Sequence, residues 1–101
     1  MRCILFIVTA LNAIVYTIPV HATDSTIFIN KCGQCHYKGG QAAPVNPADK
    51  AGLVWIKYFK RQRHPVPLKK LITRAEMQDI LAYLQDHGAD SARPIAAAIP
   101  K

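Results

Sequence analysis

The chain opens on an unbroken apolar run, Cys3 to Val20, that contains no charged residue. Beyond it the pattern changes to amphipathic stretches divided by Gly and Pro. Residues 23–36 form the first of these. Ile27, Phe28 and Ile29 give it an apolar side, Asp24, Ser25 and Thr26 are candidate caps, and Gly39-Gly40 ends it. A loop containing Pro44 follows. Asn46-Pro47 then reads as a helix start, a capping residue before proline at the first helical position. That helix is expected to run to about Arg63, with Ala48, Ala51, Gly52, Trp55, Phe59 and Gln62 on one stripe and Pro65 and Pro67 beyond its end. Thr73-Arg74-Ala75-Glu76 is a capping box. After it Met77, Ile80, Leu81 and Leu84 recur on one face until Gly88 stops the helix. Residues 89–101 are expected as a loosely ordered tail. There are no repeats and no alternating strand pattern, so the fold class is all-α, a small bundle of about three helices.

The opening run also bears on the compartment. Met1-Arg2 gives a positive start, and Val20-His21-Ala22 offers small residues at the positions a signal peptidase reads. Residues 1–22 are therefore expected to be a cleaved signal peptide that exports the protein to the periplasm, leaving a domain over 23–88 and the tail. The rival is an uncleaved membrane anchor, for which the run is near the lower limit of about 17 to 25 residues for a spanning helix. Membrane association is expected only in that case. Cys3 precedes the cut and leaves with the peptide.

The remaining domain keeps two cysteines and an excess of basic residues. At 101 residues the chain is too short for the usual Rossmann or barrel enzyme, and its apolar half excludes a disordered tail. Residues 32–36 read Cys-Gly-Gln-Cys-His, the attachment signature of c-type haem. Two thiols three positions apart can reach the two vinyl groups of one porphyrin, and the adjacent histidine comes under the iron. Three other readings compete. A thioredoxin-like pair needs a βαβ framework that this chain lacks. A zinc site needs two further ligands at matching spacing. A plain disulfide over so short a step closes almost no loop.

On these residues the chain resembles a small monohaem c-type cytochrome. The resemblance covers nearly all of the chain after the first 22 residues: an early Cys32-Gly33-Gln34-Cys35-His36, a middle aromatic helix and a late helix ending Ile80-Leu81-Ala82-Tyr83-Leu84. It implies one covalently bound haem (heme c) wrapped by helices, with Cys32 and Cys35 as attachment points and His36 as proximal iron ligand. It further implies that a proline-loop carbonyl, here at Ala43-Pro44, takes the proton on His36 Nδ1, although Pro44 could equally only stiffen its loop. Trp55 and Phe59 are the residues expected against the porphyrin. In the family the terminal helix crosses the first, and Tyr83-Leu84 resembles the pair at that crossing.

The second axial ligand departs from the family pattern. Methionine usually fills it from the loop before the last helix, whereas Met77 lies inside that helix at a core-like position. His64 occupies the loop position, so His36 and His64 are the expected iron ligands, with Met77 as the alternative. His87 reads as a helix-end residue whose charge suits the dipole. An open sixth site, binding gases or peroxide, remains as a further alternative.

From Lys57 to Arg74 the chain carries Lys57, Lys60, Arg61, Arg63, Lys69, Lys70 and Arg74 with no acidic residue between them. Such a run is either a solvated face or a docking surface for an acidic redox partner. Export argues against nucleic acid. The function these features imply is single-electron carriage rather than enzymatic turnover. The alternatives are a gas-binding or peroxidase-like haem protein, or a small haem subunit of a larger oxidoreductase.

Overall fold

The computed structural model describes residue 14 and residues 24–101. The expected signal peptide, 1–22, lies outside the described residues but for position 14. Among the described residues no helix is long and apolar enough to cross a membrane.

Three helices and two single 3-10 turns make up the body, with no strand among the described residues. Helix α1 spans Thr26–Cys32, α2 Gly52–Lys60 and α3 Arg74–Asp86. The all-α class expected from periodicity holds.

Helix α1 is shorter than the expected 23–36. The Asp24 carboxylate accepts from the Thr26 amide at 2.8 Å and from the Thr26 hydroxyl at 2.6 Å, which starts the helix late. At the other end the chain leaves the helix as a turn. The amides of Cys35 and His36 both donate to the Cys32 carbonyl, at 3.3 and 2.9 Å. The continuous helix from Pro47 to about Arg63 is also corrected. Pro47–Asp49 is a 3-10 turn, Lys50 is extended, and α2 begins only at Gly52. The reason is tertiary. The Lys50 carbonyl accepts from the Ala89 amide at 3.0 Å, and the Gly52 amide donates to Asp90 Oδ1 at 2.9 Å, so these groups are spent outside a helix. At the far end Gln62 takes φ 53°, which removes it from the stripe and stops α2 at Lys60.

Helix α3 starts as expected. Thr73 Oγ1 accepts from the Glu76 amide at 3.1 Å, and Glu76 Oε1 accepts from the Thr73 amide at 3.0 Å. This hydrogen bonding holds the Glu76 carboxyl below its ordinary pKa. Gly88 follows the helix, but for a reason other than a left-handed stop. A Cβ there would lie 3.0 Å from the Gly52 nitrogen and from the Leu84 carbonyl oxygen. Glycine lets the end of α3 touch the start of α2.

Helix α3 packs against both of the others, and the core lies along it. Phe28 of α1 meets Tyr83 at 5.3 Å between ring centres, beside the buried Ile80 and Leu84, so α3 crosses α1 at the expected pair. Trp55 and Ile72 complete this core together with Ile99, a residue of the segment expected to be loose.

That segment makes specific contacts. Residues 89–101 contain no helix, yet they are fastened along the body. Asn46, fully buried, donates from Nδ2 to the Ile99 carbonyl at 3.0 Å, and its Oδ1 accepts from the Ile99 amide at 2.7 Å. The Ile95 amide donates to the His87 carbonyl, and the Ile95 carbonyl accepts from the Ala48 amide. Asn46 is thus a clasp for the tail as well as the head of its own turn. Asn46→Ala strands two buried backbone groups of Ile99. It is expected to cost about 3 kcal/mol in urea unfolding and to speed amide exchange at Ile95 and Ile99. A loss under about 1 kcal/mol would show that the tail is not held this way.

Candidate functional site

Between the three helices lies a cavity of about 540 Å³, within the roughly 300–1,000 Å³ of sites that hold small molecules and cofactors. Its walls are largely apolar: Phe28 from α1, Trp55 and Phe59 from α2, and Met77, Ile80 and Leu84 from α3. Cys32 lines it from the last position of α1, and Cys35 and His36 from the turn that follows. His64 lines it from the loop after α2. Of the residues singled out in the sequence, all but Pro44 come together here.

The turn explains how the motif presents its chemistry. His36 and Ala42 form an isolated parallel bridge, and the Ala42 amide donates to the Cys35 carbonyl at 3.0 Å. Gly40 allows the return, because a Cβ at that position would stand 2.7 Å from the Cys35 carbonyl oxygen and the Tyr37 ring. The returning strand of chain brings the Ala43 carbonyl to 2.7 Å from His36 Nδ1. The acceptor is therefore Ala43, one residue before the expected Pro44. Pro44 acts at one remove, since a residue preceding proline is driven to extended backbone. With Nδ1 donating to that carbonyl, Nε2 is the nitrogen left with a free lone pair.

His64 is held by Val66 in a similar way: its Nδ1 lies 2.9 Å from the Val66 carbonyl and 3.2 Å from the Val66 amide, contacts that call for opposite tautomers of the ring. The two imidazole centres stand 6.1 Å apart, with their planes at 64°. A metal–imidazole bond is about 2 Å and the ring centre lies roughly 1 Å behind the nitrogen, so two rings on opposite sides of one metal stand roughly 6 Å apart. The centre separation alone would let both rings reach one metal placed between them. Among the described residues no group of three or more His, Cys, Asp or Glu side chains could hold a bare ion.

The thiols differ from solvent-exposed cysteine. Burial, with a smaller contribution from the neighbouring Cys35, pushes the Cys32 thiol up to about 11, so it is a neutral thiol at physiological pH. The aromatic wall is ordered by stacking. Trp55 and Phe59 lie 6.1 Å apart at 16°, and the Trp55 Nε1–H donates to the Pro47 carbonyl at 2.8 Å. Met77 lines the α3 wall, while His64 stands opposite His36.

Four contributors escaped the sequence reading. The Ala43 carbonyl and the left-handed Gln62 are backbone features without a side-chain signature. Tyr58 lines the cavity, and Lys50 sets its Nζ 5.6 Å from the Trp55 ring centre and 5.3 Å from that of Tyr58. Tyr58 was visible as one of three aromatics within five residues (Trp55, Tyr58 and Phe59), but its spacing falls outside the buried stripe.

Protein-family models, curated proteins and solved structures were all compared with the chain, and none matches it.

The raised Cys32 value gives a test of its state. A folded-state pKa above the ordinary thiol value of 9.0 contributes stability that is complete below pH 9 and lost as pH rises through about 11. The free-thiol protein is therefore expected to lose urea stability over that window more steeply than Cys32→Ser. Equal slopes would contradict a buried neutral thiol.

Proposed function

We propose that this protein carries single electrons on one covalently attached haem c, held by Cys32 and Cys35 and ligated by His36 and His64. The observation that carries the reading is the pair of imidazoles 6.1 Å apart across a cavity that the two motif thiols also line. His36 has Nδ1 against the Ala43 carbonyl, which leaves Nε2 as its ligating nitrogen, and His64 is oriented by the Val66 backbone.

The residues fit the group. The cavity walls are apolar on three sides, as a macrocycle requires, and the cavity volume is that of a cofactor site. Bound there, haem supplies an iron that gains and loses one electron. The chain does the rest. Cys32 and Cys35 would hold the group through thioether links, each S–H adding across one vinyl group with no net oxidation. The Ala43 carbonyl and the Val66 backbone orient the two rings. Phe28, Trp55, Phe59 and Leu84 would exclude water from the group. Two imidazoles would set its potential below that of a His/Met pair, because a thioether favours ferrous iron.

A carrier of this kind fits export to the periplasm, where thioether-bound haem cannot be lost by dilution. The basic run from Lys57 to Arg74 raises the encounter rate with an acidic redox partner and makes it sensitive to salt. Substrate turnover plays no part in this reading, because His36 and His64 would both be committed to the group.

Co-expression with the haem-attachment machinery is expected to give a protein heavier by one haem, with the added mass surviving denaturation. Cys35→Ala is expected to leave little stable holoprotein. Full yield of folded haem protein from Cys35→Ala, or a wild-type chain that takes up no covalent haem, would overturn the proposal.

A further inference from the structure

A second hollow, of about 420 Å³, opens on the outer face of α2 and is lined by Val54, Lys57, Tyr58, Arg61 and Arg63. Four of these fall at i, i+3, i+4 and i+7, which puts them on one stripe of α2 and its C-cap Arg61, opposite the buried Gly52 and Trp55. No acidic side chain lines it. Val54 is 47 % exposed and its neighbour Leu53 60 %, an apolar floor and shoulder beside three cations.

One residue belongs to both hollows. Tyr58 lines the α2 groove and also the central cavity, and its ring lies 5.2 Å from Phe59 and 6.4 Å from Trp55, centre to centre. The groove is therefore the outer side of a wall whose inner side faces the proposed haem. The rest of the basic run sits elsewhere. Lys69 and Lys70 lie on the 3-10 turn Leu68–Lys70, outside the groove lining.

We propose that this α2 groove, rather than the basic run as a whole, is where an acidic redox protein docks, and that Tyr58 is the side chain through which the electron crosses. The inference rests on the haem reading above. A partner that presents carboxylates around an apolar side chain matches a concave site with cations on its rim and Val54 and Tyr58 on its floor. The concavity favours a protein protrusion over a flat lipid surface, and three like charges disfavour a second copy of this chain. In the step itself one electron leaves the partner's reduced centre and ferric iron becomes ferrous. No bond is made and no proton moves.

The probe is flavodoxin, an acidic one-electron donor, used with the haem-loaded protein at low salt. In ¹⁵N spectra the amides of Val54, Lys57, Tyr58, Arg61 and Arg63 are expected to shift on titration. In stopped flow, Lys57→Glu with Arg61→Glu is expected to lower the second-order reduction rate about tenfold, and Lys57→Gln with Arg61→Gln by less. Lys69→Glu with Lys70→Glu carries the same charge change and is expected to cost under about twofold. Tyr58→Leu is expected to slow electron transfer within the complex by a larger factor than it weakens the titration affinity. Equal losses from both charge-reversed pairs would overturn the proposal. So would shifts confined to the Val66–Leu71 rim, shifts that follow protein concentration without flavodoxin, or binding to phosphatidylglycerol vesicles in place of flavodoxin. An unloaded chain with no haem spectrum fails the haem reading; a loaded chain whose groove amides stay still fails only the dock.

Discussion

The interior of this protein is a space its own side chains do not fill, and the rest of the structure follows from that. Three short helices bring a handful of large buried side chains to one place, Phe28, Trp55, Ile80, Tyr83 and Leu84 among them. Besides packing on one another, Phe28, Trp55, Ile80 and Leu84 line a cavity of about 540 Å³. A domain of this size buries little apolar surface by itself, so an apolar group in the centre would be part of the fold. That makes the proposed haem structural as well as redox-active. It also explains why the tail is strapped down: Ile99 adds one more buried side chain to a core that has few.

Positioning in the site is done mostly by backbone. The Ala43 carbonyl orients one imidazole and the Val66 backbone the other. Each lies beside or between prolines, in chain whose conformation is narrowed before any ligand arrives. Gln62 in the left-handed region ends α2 and turns the chain toward His64. A side chain at 62 gains nothing from that conformation, which is uncommon for any residue but glycine; its use there places the second histidine across the cavity from the first.

How much of this could be read from the sequence depended on how local each cause is. The grouping of Cys32, Cys35 and His36 on one cavity was legible because they are near neighbours along the chain. Helix α3 was legible because a capping box and an apolar period agree over its length. The start of α2 was not, because Lys50 and Gly52 spend their backbone groups on Ala89 and Asp90, far along the chain. The tail looked loose for the same reason: its anchor, Asn46, lies 53 positions before Ile99 and reads locally as no more than a cap. Within the site, residue types pointed to His64 through the absence of a methionine in the loop. Ala43 could not be told from Pro44, since a carbonyl leaves no mark in composition.

The central claim is that His36 and His64 face one iron. It is tested most directly by the absorption and low-temperature EPR spectra of the ferric haem-loaded protein, set beside those of His64→Ala. The account predicts a low-spin wild type without the long-wavelength band of methionine–iron ligation, and a high-spin His64→Ala. A methionine band in the wild type, or a His64→Ala protein with an unchanged low-spin signal, would contradict it and give the sixth position to another group.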